Sequence, residues 1–111
     1  MFRILRELKF KIKKLKSFFV RGCHGWSPMD TWSFDIYLAV IISDGIKYLR
    51  KNTRAHPVNL SEEEWEEILE KIEIGFKIYV SSLDCSFTPR EEERIKESLE
   101  LFIKYFSALW D

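Results

Sequence analysis

The chain has 111 residues, a length that suits one domain over 1–111 rather than two cores of marginal size. Apolar residues make up 46% and aromatics 15%, which excludes a disordered chain, and no apolar run approaches the roughly 20 residues that cross a bilayer. The 18 bases and 18 acids cancel in sum but not in place: residues 1–21 hold eight bases against Glu7 alone, a net of +7, and residues 22–111 hold ten bases against seventeen acids, a net of −7.

The pattern predicts an all-α, compact four-helix domain, with helices near 2–20, 28–51, 62–83 and 89–109 and links near 21–26, 52–60 and 84–87. In the first helix Leu5, Leu8, Ile12, Leu15 and Phe19 recur on one face and the basic cluster fills the other. Its bases are interleaved with apolar residues and no small-residue cleavage site follows, so a secretory signal is not expected. Ser27-Pro28-Met29-Asp30 opens the second helix with a capping hydroxyl, a proline at the first position and an acid in the first turn. Trp32, Ile36, Ala39 and Val40 line one face of that helix, while Phe34, Tyr37, Leu38, Ile41 and Ile42 fill the others. It therefore reads as the central, most buried helix. Ser61-Glu62-Glu63-Glu64 is a capping box, followed by a stripe of Trp65, Ile68, Leu69, Ile72, Phe76, Tyr79, Val80 and Leu83. Thr88-Pro89-Arg90-Glu91 repeats the signal ahead of Ile95, Leu99, Phe102, Phe106 and Leu109. No Asn-Gly or Asp-Gly turn separates two period-2 runs, so strands are not expected.

The densest stretch for chemistry is the junction from Arg21 to Asp35, which joins Cys23, His24, Trp26, Asp30, Trp32 and two glycines. It reads either as a structured helix entry or as a pocket wall, in which indoles stack on a planar ligand and Arg21 or His24 meets an anionic group. Asp30 and Asp35 are five residues apart, about 500° of helix rotation, so paired-carboxylate catalysis has weak support. Cys23, His24, His56 and Cys85 form a nominal metal set without the two-to-four-residue spacing of a zinc grip, so no metal is assigned. No nucleophile constellation, phosphate-cradling loop or zinc-protease helix is present, and neither an enzyme nor a cofactor is expected. Glu62, Glu63, Glu64, Glu66, Glu67, Glu70 and Glu73 crowd the third helix beside Lys71. That face is either solvated or an acidic docking surface. The basic first helix has three readings: complement to the acidic helix within the molecule or head to tail, nucleic-acid contact, or membrane-surface helix.

His24-Gly25-Trp26 followed by Asp30, Trp32 and Asp35, then His56-Pro57, Leu60-Ser61-Glu62-Glu63-Glu64-Trp65-x-x-Ile68-Leu69 and Phe102-x-x-Tyr105-Phe106-x-x-Leu109-Trp110-Asp111, resembles a family of small proteins encoded by tailed bacteriophages and prophages. The resemblance covers nearly all of 22–111. The lysine-rich first helix lies outside it, and Pro28-Met29 departs from its more polar pattern. It implies a phage origin and residence in the host bacterial cytoplasm, without implying a mechanism.

These readings converge on a non-enzymatic phage binding protein, a homo-oligomer with a counter-defence role. The leading version sequesters an anionic nucleotide signal: Trp26 and Trp32 stack on the base, Arg21 and His24 neutralise phosphate, and Asp30 or Asp35 accepts base or ribose hydrogens. The second is an anti-CRISPR-like inhibitor that sets Glu63, Glu66, Glu70 and Trp110 against a basic host nuclease or polymerase. The third is a nucleic-acid or virion-associated accessory protein working through helix 1.

Overall fold

A computed structural model of the chain describes residues 2–53, 55–82 and 86–110. The protein is all-α. Among the described residues there are four α-helices, α1 (Phe2–His24), α2 (Phe34–Asn52), α3 (Glu62–Ser81) and α4 (Pro89–Lys104), with short 3-10 turns at Pro28–Ser33 and Phe106–Ala108 and no strand. They fall into two compact units, Met1–Phe34 and Asp35–Asp111.

In the first unit α1 runs to His24, one turn beyond the expected 2–20. Gly25 ends it: at φ 81° it adopts the left-handed conformation that favours glycine, and its N–H bonds the Arg21 carbonyl at 2.7 Å. The expected helix from residue 28 is a 3-10 turn as far as Ser33, and regular α2 starts only at Phe34. The tight turn has local causes. Thr31 Oγ1 donates back to the Pro28 carbonyl at 2.6 Å, and the Asp30 N–H bonds the Ser27 carbonyl at 2.9 Å, an i→i+3 closure.

In the second unit the two capping boxes form as their sequences require. Ser61 Oγ accepts from the Glu64 N–H at 3.1 Å and Glu64 Oε1 accepts from the Ser61 N–H at 3.2 Å; Thr88 and Glu91 repeat the exchange at 3.2 and 3.0 Å. The buried core is Trp65, Leu69, Ile72 and Phe76 of α3 with Ala39 and Ile46 of α2, flanked by Leu101, Phe102 and Tyr105. Edge-to-face pairs tie α3 to α4 and its C-terminal end: Phe76 against Phe102 and Trp65 against Tyr105, each with ring centroids 5.5 Å apart.

The helix expected to be most buried was α2; that place belongs to α3. Six α3 residues are buried against three in α2. The reason is the close approach of α3 and α4 at Gly75, where an added Cβ would fall on the Ser98 side chain. Ser98, buried on α4, closes the contact with a 2.7 Å bond from its Oγ to the Ile72 carbonyl. α2 adds only Ala39 and Ile46 to the buried core, and its Phe34, Leu38, Val40 and Ile41 remain exposed. α4 likewise stops short of the expected 109: Tyr105, at φ −108° and ψ 15°, leaves the helix before the Phe106–Ala108 turn. Leu83, placed in the α3 stripe from sequence, lies outside the described residues.

Candidate functional site

At the junction in the first unit, α1 delivers Arg21 and the 3-10 turn delivers Asp30. Arg21 donates through Nε to Asp30 Oδ2 at 3.0 Å and through Nη2 to Oδ1, a two-pronged pair that fits the planar guanidinium. Asp30 Oδ2 also accepts from the Ser27 N–H at 2.7 Å and from Ser27 Oγ at 3.2 Å. The Arg21 bonds, outweighing desolvation and helped by Ser27, hold the Asp30 carboxyl below the usual carboxylate range. Of the candidate ligand residues, this brings Arg21 and Asp30 together, but onto each other. His24 and Trp26 are exposed, and Trp32 is 92% exposed, with its indole in solvent. Asp35 belongs to the second unit, where Tyr79 Oη donates to its Oδ2; that bond lowers the Asp35 pKa.

The second unit holds a site of a different kind. Between α2 and the α3–α4 pair lies an open, nearly wholly apolar groove of about 310 Å³. Leu38, Ala39 and Ile42 form one wall and Ile95, Leu99 and Phe102 the other, with Gly75 and Phe76 at the base and Ser98 and the Asp35–Tyr79 pair as the polar members. It exists for the reason α2 is less buried than expected: α3 and α4 are drawn together at Gly75, while α2 stands off. Leu38 is 40% and Leu99 43% exposed, so both walls remain accessible. The unit carries ten bases and sixteen acids, a net of −6, and the first unit eight bases and two acids, a net of +6.

Glu63, Glu66 and Glu70 are exposed on α3, and among the described residues no ion pair reaches them. Glu66 precedes Gly75, and Glu70 precedes Tyr79, by nine residues, about half a turn out of phase, so this acidic row faces away from the groove. Glu73 is different: buried, it accepts from Arg50 Nη2 at 3.0 Å and Lys77 Nζ at 2.6 Å. Trp110 is exposed beside Ala55, His56, Pro57 and Val58. Cys23 is exposed, His56 Nδ1 sits 3.0 Å from the Pro57 carbonyl oxygen, and Cys85 is outside the described residues, as is Asp111.

The sequence does not show the groove, because α2 is apolar on nearly every face and so reads as an enclosed helix rather than as one wall of an open site. The available signal is the surplus: Leu38 on α2 and Leu99 on α4 line the groove and stay exposed, more apolar surface than those helices bury. Comparisons with protein-family models, with curated proteins and with solved structures found no match.

Proposed function

We propose that the protein is a non-enzymatic binding protein that captures an amphipathic helix of a partner in the groove of its second unit. The observation that supports this reading most is the groove itself, apolar, open and set in a unit of net charge −6. An amphipathic helix offers the apolar row such a groove takes, and Asp35 at its polar edge, in a unit of net negative charge, favours one flanked by lysine and arginine. In the phage setting the sequence resemblance implies, the partner is a basic host protein and the role is host modulation or counter-defence. Nucleotide capture through Arg21, His24, Trp26, Asp30, Trp32 and Asp35 has less support, because the Arg21 guanidinium that would meet phosphate already carries Asp30.

The test is calorimetric titration of the full chain with a synthetic 20-residue leucine–lysine helix, its leucine–glutamate counterpart, and a panel of cyclic and linear nucleotides. The leucine–lysine helix binds, and Leu99→Glu in the groove wall weakens it about tenfold or more, the effect of placing a charge against an apolar row. No heat with that helix, or equal heat with the Leu99→Glu variant, removes the groove reading; heat with a nucleotide restores the junction reading.

A further inference from the structure

The first helix carries a second surface that the groove does not explain. Ile4, Leu5, Leu8, Ile12, Leu15 and Phe19 are each between 50% and 64% exposed, although they form one continuous apolar row. At about 100° per residue they occupy a sector roughly 100° wide, and from Ile4 to Phe19 the row runs over about 22 Å of the helix. Apolar surface of that extent left in water marks an interaction site.

The row is exposed because the first unit makes its own contact elsewhere on α1. The returning 3-10 segment meets α1 at Arg21, through Asp30, and near Ser17 and Val20, which line a concavity with Pro28 and Met29. Ser17 lies nine residues from Leu8 and Arg21 nine from Ile12, so both contact points are about half a turn away from the apolar row. Lys9, Lys11 and Lys16 flank the row, and Arg3, Arg6, Lys13 and Lys14 lie beyond them.

We propose that α1 lies in the interface of an anionic lipid bilayer, with its Leu8–Ile12–Leu15–Phe19 row among the acyl chains and its lysines at the headgroups. Both properties of the helix are needed for that occupant. Phosphate along a nucleic acid would engage the bases and leave the apolar row in water. Pairing of α1 with α1 of a second copy would cover the row but set the flanking lysines of both copies against one another, with Glu7 the only acid of α1 to offset them. An anionic bilayer accepts the apolar row and the positive charge together, and flanking lysines reach the headgroups through their own methylenes. No helix among the described residues is long and apolar enough to cross a membrane, so the contact is parallel to the surface.

The experiment is co-sedimentation of the full chain with vesicles of phosphatidylglycerol and phosphatidylethanolamine (3:7), and with pure phosphatidylcholine, across a range of lipid concentrations. The anionic vesicles reach half-binding at a lipid concentration at least tenfold lower. Leu8→Glu/Ile12→Glu abolishes sedimentation, and Lys9→Gln/Lys11→Gln, on the two flanks of the row, weakens it by roughly fivefold per base removed. Circular dichroism accompanies each variant. If the glutamate pair lowers helix content, the lysine pair decides alone. The proposal is overturned by equal binding to both vesicles, by sedimentation that survives both variants, by duplex DNA displacing the protein from anionic vesicles with or without the apolar row, or by a dimer that forms through the row while vesicles bind nothing.

Discussion

Replacing Gly75 by alanine sets two effects of opposite sign against each other. Gly75 lies inside α3, where alanine is intrinsically preferred by about 1 kcal/mol, so on helix propensity alone the change stabilises. The surroundings reverse the sign. The new Cβ would overlap the Ser98 side chain and sit 3.0 Å from the Arg94 carbonyl oxygen, which is backbone of α4 and cannot rotate away. α4 must shift outward, straining the Ser98 Oγ bond to the Ile72 carbonyl and the Phe76–Phe102 ring pair. Overpacking of this kind costs about 1–3 kcal/mol, and a weakened buried hydrogen bond about 1 kcal/mol more. Net of the propensity gain, Gly75→Ala is expected to destabilise by about 1–3 kcal/mol. Thermal unfolding followed by far-ultraviolet circular dichroism should show Tm falling by roughly 5–15 °C. Gly75→Ala/Ser98→Gly removes the side-chain overlap but not the approach to the Arg94 carbonyl, and should recover part of the loss, so the double variant is more stable than the two single changes sum to. An unchanged or raised Tm for Gly75→Ala, or strict additivity with Ser98→Gly, would refute the account of why α3 and α4 approach and therefore of why the groove exists.

The buried Glu73 leads to further expectations. Burial pushes its carboxyl up, but bonds from Lys77 and Arg50 outweigh that and hold it below the ordinary value of 4.5. The folded chain therefore binds this proton less readily than the unfolded chain. The stability it contributes is full above about pH 4.5 and is lost as pH falls through the lower folded value, measurable as the urea midpoint against pH. Glu73→Gln should cost about 2–3 kcal/mol at pH 7 and flatten that dependence, because Arg50 is left largely buried without its partner. Ser61→Ala and Thr88→Ala each remove one half of a capping box and should cost about 1 kcal/mol apiece in the same denaturation assay, adding independently because they cap different helices.

Local signals carried most of the fold. Both capping boxes form at the residues that announced them, because a cap depends on four consecutive positions and nothing distant. Periodicity placed Trp65, Leu69, Ile72 and Phe76 in the core, since only one face of α3 repeats apolar residues at helical spacing. What escaped depends on distance between elements. A glycine within a helical pattern looks like a mild defect until Ser98 is found against it, so neither the α3–α4 approach nor the standing-off of α2 was legible. The junction shows the reverse failure. The residue types of Arg21 and Asp30 suit convergence on a ligand, but the three-dimensional turn lets them satisfy each other, and Ser27 completes the set. Composition identified the reactive groups; only geometry says which of them already have partners.

The charge division leaves one question that mutation can decide. Pairing within each unit leaves its net charge unchanged, because both partners stay in the same unit: Arg21 holds Asp30 in the first, while in the second Arg50 and Lys77 hold Glu73 and Lys71 sits 3.4 Å from Glu97. Residual charges of opposite sign therefore face outward. If they serve two separate partners, their perturbations are orthogonal. Lys9→Glu/Lys11→Glu should abolish binding to anionic vesicles and leave the leucine–lysine helix bound with unchanged affinity. Asp35→Lys, at the polar edge of the groove, should weaken that helix severalfold and leave vesicle binding intact. The combined variant should then show the two losses independently, since surfaces without shared contacts add. If the acidic unit instead serves as the partner of the basic helix, within a chain or between copies, the combination behaves otherwise. Reversing α1 frees the groove and tightens the added helix, and reversing both surfaces restores what either change alone removed. That rescue would replace two external partners with a single internal one.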